Sequence, residues 1–313
     1  MPEELVATPL SGSVVTCPYT FQDGISIREL SRILWDDSVA KCSVSETELR
    51  DLKETKYWLC ASKEAEHVYG SVCDDLQPKA RNAMWALQII CPSGSKHNVF
   101  LDFAQTAQGY DNIGCQPSEV LWRTLIGLTT SAEKCGLAQD FEAVYYMVTR
   151  AFTEKIVRLQ NPILLLEYGM KIGSPDLGTL MFVMALDMLM MAEGKPLFVE
   201  RAGRFLHSQS YVFPPLTDRC LQPAVKVGDV LSDLFDLRND VAHGKKIRKT
   251  SYREKYDLLD VNGSRINLVP YYYPYLMFDS GLFLLARSLR KVAVDNLFDE
   301  VSDNRKWKQR LRR

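Results

Sequence analysis

The sequence predicts a mainly α-helical protein, in which a helical C-terminal domain follows a smaller region of mixed helix and strand. From residue 117 onward, apolar side chains recur at the three- and four-residue spacing of helices. Before that point, short alternating segments lie between Gly and Pro breaks, which is typical of strands. The 313 residues can bury a sizeable core. We therefore expect two regions, 1–116 and 117–313.

The first region, 1–116, is predicted to mix helices and strands, and its sequence reveals no chemistry. Ser45 and Glu48 form a capping-box pattern, which predicts a helix that continues to about Leu59. The stretch 105–116 contains Gly and Gln and is predicted to be a loop. The other predictions, in chain order, are an extended segment at 1–25, a short helix at 26–36, a helix at 78–90 and a strand at 99–103.

The second region, 117–313, begins with a helical pattern over 117–160. Asn161-Pro162 and Ser174-Pro175 each resemble a cap followed by proline, the usual opening of a helix. The segment 177–192 is apolar almost all round. It is too short for a membrane span and contains Asp187, so we expect a central core helix and no membrane association. A buried Asp187 needs a partner, and Arg201 is the candidate for a structural pair.

An insertion near 256–275 is predicted before the last helix. Two short apolar segments flank Asn262-Gly263, a two-residue hairpin signal. The tyrosines at 271–273 and 275 follow. They either stack on nucleic-acid bases or pack the hairpin onto the helices, and both readings stay open. Asp279 or Ser280 is expected to start the last helix.

The most informative segment is 228–246. Apolar residues recur at helical spacing, and Gly244 can take the left-handed angles that end a helix. Asn239 and His243 are four residues apart and share a face, whereas Arg238 lies five residues before His243. The long side chain of Arg238 can reach the same face. We therefore expect Arg238, Asn239 and His243 to lie close together beside the helix end.

These three residue types suit the chemistry of a phosphate. Arginine offers a charged fork to phosphate oxygens, histidine exchanges protons near neutral pH, and asparagine orients a ring or donates to an anion. Cleavage of RNA by its own 2′-hydroxyl needs only proton transfer and stabilisation of an anionic phosphorus. The alternative is that Arg238 and His243 merely cap the helix and carry surface charge. Spacing alone does not decide between the two.

The motif Arg238-Asn239-Asp240-Val241-Ala242-His243-Gly244 resembles the signature of the HEPN superfamily, and its His-Gly ending resembles the Apea-like branch. The segments 180–187 and 200–206 resemble the preceding helices of that branch, so the resemblance covers roughly 160–300. It implies a HEPN-like helical bundle, homodimers, and in many members metal-independent endoribonuclease activity in defence or toxin systems. Some toxin branches carry a tyrosine two places after the histidine, where this chain has Lys245.

Charge and cysteine content narrow the expected partners. The net charge is −1, so contact with RNA would depend on local basic patches. One basic run lies directly beside His243, and it is either a solvated face or an RNA contact. None of the eight cysteines has a neighbour at the two-residue spacing of a zinc or redox pair. We expect a cytoplasmic protein without metal or cofactor. The residues of the basic run are Lys245, Lys246, Arg248 and Lys249.

Two functions follow as expectations. The first is a metal-independent endoribonuclease in antiviral defence or a toxin-like system, with Arg238, Asn239 and His243 as its catalytic residues. The second is a non-catalytic module that dimerises or senses RNA or a protein. The RNA target, and any regulatory partner or phage-derived trigger, are not identified by the sequence.

Overall fold

The structure, a computed structural model, describes residues 2–10, 15–36, 45–64, 75–92, 97–121, 131–213, 222–245, 258–259, 265–266 and 273–312. These residues form a mixed α/β protein with ten helices, a seven-stranded mixed sheet and a small three-stranded sheet. The predicted presence of both strands and helices is confirmed, whereas the predicted mainly α-helical class is not, since the protein is mixed α/β. The chain is less dominated by helix than predicted, because the first region contributes a sheet of seven strands.

The large sheet has the strand order β2-β3-β5-β1-β6-β7-β4. All neighbours are antiparallel except β4 and β7, which are parallel. Strand β1 lies between β5 and β6 and is buried along almost its whole length, as expected for a strand covered on both faces. Its strands are β1 (Glu3–Leu10), β2 (Tyr19–Thr20), β3 (Ile25–Arg28), β4 (Ile33–Leu34), β5 (Tyr57–Glu64), β6 (His97–Thr106) and β7 (Gly109–Leu121).

The two faces of this sheet pack against different helices. One face contacts Leu52 of the short helix α1 (Glu46–Lys53) and is lined by Trp58 and Phe103. The other face packs against helix α2 (Leu76–Ile90), and its apolar side chains continue without interruption into the core of the helical region. The sheet and the helices therefore share one hydrophobic core.

The helical region is built around α5, which contacts α4, α7 and α8. Phe182 of α5 is fully buried and lies against Phe278 of α8. At the C-terminus, the buried Trp307 donates from Nε1 to the carbonyl of Leu189, 2.6 Å away. The helices are α3 (Leu137–Thr153), α4 (Val157–Lys171), α5 (Pro175–Met190), α6 (Lys195–Leu206), α7 (Val227–Ala242), α8 (Tyr273–Val294), α9 (Phe298–Ser302) and α10 (Asn304–Arg310).

Several local predictions are confirmed. Ser45 and Glu48 form the capping box that opens α1, and Ser174 precedes α5 with Pro175 in its first turn. The predicted hairpin pairs as expected, since β9 (Leu258–Leu259) and β10 (Arg265–Ile266) are antiparallel. They join β8 (Gln222–Pro223) in the small sheet. The turn at Asn262-Gly263 lies outside the described residues.

Other predictions of secondary structure are wrong. The expected helix at 26–36 is replaced by β3 and β4, because Ile25 and Ile27 alternate with partly exposed residues and pair with β5. The helix that opens at the capping box ends at Lys53, and β5 follows it. The expected loop 105–116 contains the end of β6, a turn and most of β7, and β7 continues through the first residues of the expected helix 117–160. The backbone of β7 pairs with β6.

Two helix starts are also misplaced. Helix α4 begins at Val157, so Pro162 lies inside it, where its missing N–H removes one intrahelical hydrogen bond. The last long helix begins at Tyr273, which lies before the expected start at Asp279 or Ser280. In both helices, apolar residues N-terminal to the expected start are also buried and extend the apolar stripe of the helix. Their burial outweighs the local start signal.

Candidate functional site

The C-terminus of α7 ends in the geometry that the sequence predicts. Gly244 has a φ of +64°, and its N–H donates to the carbonyl of Val241 at 3.1 Å. The N–H of Lys245 donates to the carbonyl of Asp240 at 2.8 Å. These two bonds are those of a Schellman motif, which satisfies the last carbonyls of the helix. His243 is the C-cap residue, and its side chain is exposed.

Three neighbours position the side chain of Arg238. Its guanidinium lies 5.2 Å from the ring centroid of Phe235, one turn earlier on α7. One of its terminal nitrogens donates to Oδ1 of Asn239 at 2.9 Å, and the other lies 3.5 Å from Oδ2 of Asp187 on α5. The side chain keeps 28% of its surface exposed. Arg238 is therefore held in place while some of its donors remain accessible to solvent.

The partner of Asp187 differs from the predicted one. The expected pair of Asp187 with Arg201 is wrong, because Asp187 faces Arg238 of α7. Arg201 is buried and donates to the carbonyls of Met190 and Met191. Met191 has a left-handed φ of +50° and ends α5. Arg201 therefore supplies hydrogen-bond donors to the carbonyls at the end of α5. The sequence pattern does not show which residue supplies these donors.

Asp187 is an incompletely paired acid. Burial raises the pKa of its carboxyl above the ordinary value, and the charge of Arg238 opposes that rise. Its Oδ2 faces Arg238, whereas its Oδ1 has no hydrogen-bond partner among the described residues. The 3.5 Å separation from Arg238 is longer than a normal charge-assisted hydrogen bond. Asp187 therefore holds the guanidinium weakly.

His243 approaches the other two predicted site residues only through the backbone. Its N–H donates to the carbonyl of Asn239 at 3.0 Å. Among the described residues, no hydrogen bond or ion pair joins its imidazole to Arg238 or Asn239. The structure thus joins two of the three side chains directly and leaves the third exposed one turn further along the helix.

Of the predicted basic run, Lys245 is described and exposed. Lys246, Arg248 and Lys249 lie outside the described residues. No group of three His, Cys, Asp or Glu side chains that could hold a metal ion is found in the described part of the chain.

The sequence prediction missed three features around the site. Phe235 lies under the guanidinium, and its three-residue spacing from Arg238 is a signal that was available. Lys195 of α6 lies 2.5 Å from Asp236 of α7, a contact that depends on helix packing and has no local signal. The third feature is a stripe of exposed apolar side chains on α5 beside Asp187. We call it the α5 stripe, and it comprises Leu177, Met184 and Met188, which are 45%, 40% and 37% exposed.

Within the described residues, no single helix is long and apolar enough to cross a membrane. Helices α5 and α6 meet that test only when they are taken together, and a bend of 79° separates them.

The chain was compared with protein-family models, curated proteins and solved structures. No protein-family model, no curated protein and no solved structure matches the chain.

Proposed function

We propose that this protein is a metal-independent endoribonuclease with a HEPN-type helical domain. The observation that supports the proposal best is the arrangement at the end of α7. There, Arg238 and Asn239 are hydrogen-bonded to each other, and the exposed His243 follows one turn later. A positioned cation and an accessible imidazole can supply the charge stabilisation and the proton transfer that metal-independent RNA cleavage needs, and the amide can orient either group.

The reaction assigns one role to each side chain. A base removes the proton of the ribose 2′-hydroxyl, whose oxygen then attacks the adjacent phosphorus. The bond to the 5′-oxygen breaks, and an acid protonates that leaving oxygen. The products are a 2′,3′-cyclic phosphate and a 5′-hydroxyl. In this scheme His243 transfers protons, Arg238 stabilises the charge on the phosphate, and Asn239 orients the substrate or the imidazole.

Asp187 has a positioning role in this scheme. Its carboxylate keeps the Arg238 guanidinium at the end of α7 before substrate arrives. The separation of 3.5 Å leaves the guanidinium donors free to make shorter bonds to a phosphate. The ring of Phe235 supports the planar guanidinium from below.

The proposed active site is completed by a second copy of the chain. One His243 cannot easily serve both as the base at the 2′-hydroxyl and as the acid at the leaving oxygen, because these atoms lie on opposite sides of phosphorus. A two-fold axis beside α7 would supply two histidines and two Arg238 side chains. The α5 stripe flanks Asp187 and offers apolar surface for such a contact.

Binding of the RNA backbone is assigned to the basic run that begins beside His243, namely Lys245, Lys246, Arg248 and Lys249. A cytoplasmic role in antiviral defence or toxicity belongs to the same proposal and derives from the HEPN resemblance alone.

A non-catalytic dimerisation or sensing module is the second candidate function. The observation that favours it is the ion pair of Arg238 with Asp187, because a substrate phosphate must compete with that carboxylate. The described contacts also leave the His243 imidazole unconnected to Arg238. In this alternative, the motif ends α7 and connects it to α5 through the ion pair of Arg238 with Asp187, and it catalyses no reaction.

Substitution of His243 tests the proposal. Purified His243→Ala is expected to lose cleavage of total RNA on a gel and to keep the melting temperature of the parent, because His243 is exposed and fills no core volume. The parent is expected to cleave in excess EDTA and to leave a 2′,3′-cyclic phosphate or its hydrolysis product.

The matched control is His207→Asn. His207 is also exposed and also follows the last residue of a helix, and asparagine tolerates its φ of +62°. Equal cleavage by the parent and His243→Ala would refute the nuclease proposal. A large loss of melting temperature in His243→Ala alone would support the capping alternative. Activity that EDTA removes and magnesium restores would contradict the metal-independent mechanism.

The dimer is tested with a charge placed on the α5 stripe. Met184→Glu is expected to give monomers by light scattering and to lose RNA cleavage, since the second His243 is then absent. Ile113→Glu, at an exposed position of β7, is the control and should leave both properties unchanged. A monomeric variant that cleaves RNA at the full rate would rule out the shared site.

A further inference from the structure

A concave site lies on another part of the surface, between α2, the start of α3, the end of α6 and α8. It has a volume of about 530 Å³, which is within the usual range for small-molecule sites. No residue of α5 or α7 lines it, so it is separate from the proposed nuclease site. We call it the α8 cavity.

The α8 cavity has an apolar floor. Phe213 and Phe283 are buried there with their ring centroids 5.2 Å apart and their planes at 73°. Phe205 lies beside them, under the ammonium group of Lys291 at 5.6 Å. Tyr211 and Val294 form an exposed rim. The exposed ring of Tyr211 above this floor favours a flat apolar group, because covering that ring removes apolar surface from water.

The walls of the α8 cavity are predominantly basic. Four basic side chains and two carboxylates line it, which gives a formal charge of +2 without His207. Both carboxylates are already paired. Asp140 accepts from Nε of Arg290 at 2.6 Å, and Asp295 accepts from Lys291 at 2.7 Å. The remaining basic side chains are Lys134 and Arg287.

Arg287 is a cation of this cavity for which the described part of the chain supplies no counter-ion. It is half-buried and donates to the carbonyl of Tyr211 at 3.0 Å. No carboxylate of the described residues forms an ion pair with it. Burial lowers the pKa of its guanidinium, and the charge of Arg290, one turn away, lowers it further. With one carbonyl as its acceptor, the half-buried guanidinium of Arg287 keeps further donors that a bound anion can accept from.

We propose that the α8 cavity binds a small amphipathic organic anion. Its phosphate or carboxylate head pairs with Arg287, and its flat apolar body lies above the aromatic floor and covers the exposed ring of Tyr211. The guanidinium supplies several parallel donors to such a head group. The head neutralises the charge of Arg287, and the aromatic floor selects against a small inorganic ion such as free phosphate.

Two dyes with one ring system test this proposal directly. 8-Anilinonaphthalene-1-sulfonate carries an anionic head, whereas N-phenyl-1-naphthylamine has the same rings without it. Both become fluorescent in apolar sites. The parent protein is expected to bind the sulfonate with one-to-one stoichiometry and more tightly than the neutral dye. Arg287→Met should weaken the sulfonate about tenfold, which is typical of one lost charge-assisted bond, and leave the neutral dye unchanged.

Three further variants complete the experiment. Arg287→Lys keeps the charge and should retain the preference for the sulfonate. Arg81→Met removes an exposed arginine of α2 and should change nothing. Val294→Asp adds a negative charge at the rim without replacing a buried group, and it should weaken the sulfonate alone. If Arg287→Met binds neither dye because the cavity collapses, the sulfonate affinity of Val294→Asp becomes the test of the proposal.

The proposal is overturned if the parent binds neither dye, or binds both equally. It is also overturned if Arg287→Met retains the preference for the sulfonate, or if Arg287→Met collapses and Val294→Asp leaves the sulfonate affinity unchanged.

Discussion

Two glycines in helices should respond in opposite ways to one substitution. Gly178 lies in α5, between Gly169 of α4 and Phe278 of α8. A Cβ there would contact the ring of Phe278 and would lie 2.7 Å from the carbonyl oxygen of Gly169. Gly203 lies inside α6, where the nearest side-chain atoms, on Leu231 and Ser208, would be 3.7 Å from a new Cβ. Gly178 is therefore required for close helix packing, and Gly203 is not.

The magnitudes follow from these distances. Alanine is preferred over glycine inside a helix by about 1 kcal/mol. At Gly203 the methyl group meets only ordinary contacts, so Gly203→Ala should stabilise the fold by about 1 kcal/mol. At Gly178 the methyl group overlaps a backbone oxygen that moves only if α4 moves, and overpacking of this kind costs about 3 kcal/mol. The net effect of Gly178→Ala is a loss of about 2 kcal/mol.

The free energies of unfolding of both variants and the parent are measured by urea titration, with tryptophan fluorescence as the signal. The difference between them should be about 3 kcal/mol in the free energy of unfolding. Melting temperatures should rise by about 2 °C for Gly203→Ala and fall by about 4 °C for Gly178→Ala, since about 2 °C corresponds to 1 kcal/mol in a chain of this size. If both variants shift in the same direction, the packing argument fails.

Two further predictions concern buried polar groups. Trp307→Phe should lower the free energy of unfolding by about 1–3 kcal/mol, because the carbonyl of Leu189 loses its donor, and an unchanged urea midpoint would contradict that hydrogen bond. Burial raises the pKa of Asp279 well above its ordinary range, so the folded state binds this proton more tightly than the unfolded state. Stability should therefore fall as pH rises from about 4 through the folded-state pKa, and Asp279→Asn should flatten that slope. Unfolding free energies measured over a pH series check the sign, and identical slopes in the parent and the variant would refute it.

The start and end signals of the helices are predictable where the responsible atoms are close in sequence. Ser45 and Glu48 cap α1 through groups three residues apart. Gly244 ends α7 because a residue without Cβ adopts a left-handed φ at no steric cost. Both signals act within one turn of helix, so packing elsewhere has little influence on them.

The strands show the opposite behaviour. Ile27 and Ile33 fit a helical stripe as well as a strand, and only the presence of β5 as a hydrogen-bonding partner makes β3 a strand. Strand β7 lacks a clear alternating pattern, yet its backbone pairs with β6 over most of its length. A strand forms its backbone hydrogen bonds with a neighbouring strand, so its own sequence is not sufficient to predict it.

The candidate site also combines features that are predictable from local sequence with contacts that depend on helix packing. The position of Arg238, Asn239 and His243 on the last turns of one helix is predictable from sequence, because apolar neighbours recur at the 3.6-residue helical repeat and Gly244 marks the helix end. The pairing of Arg238 with Asp187, and the bonds from Arg201 to the carbonyls at the end of α5, are not predictable from sequence. These pairs depend on how α5 packs against α6 and α7, and that packing is set by the fit of buried side chains, which no short stretch of sequence records.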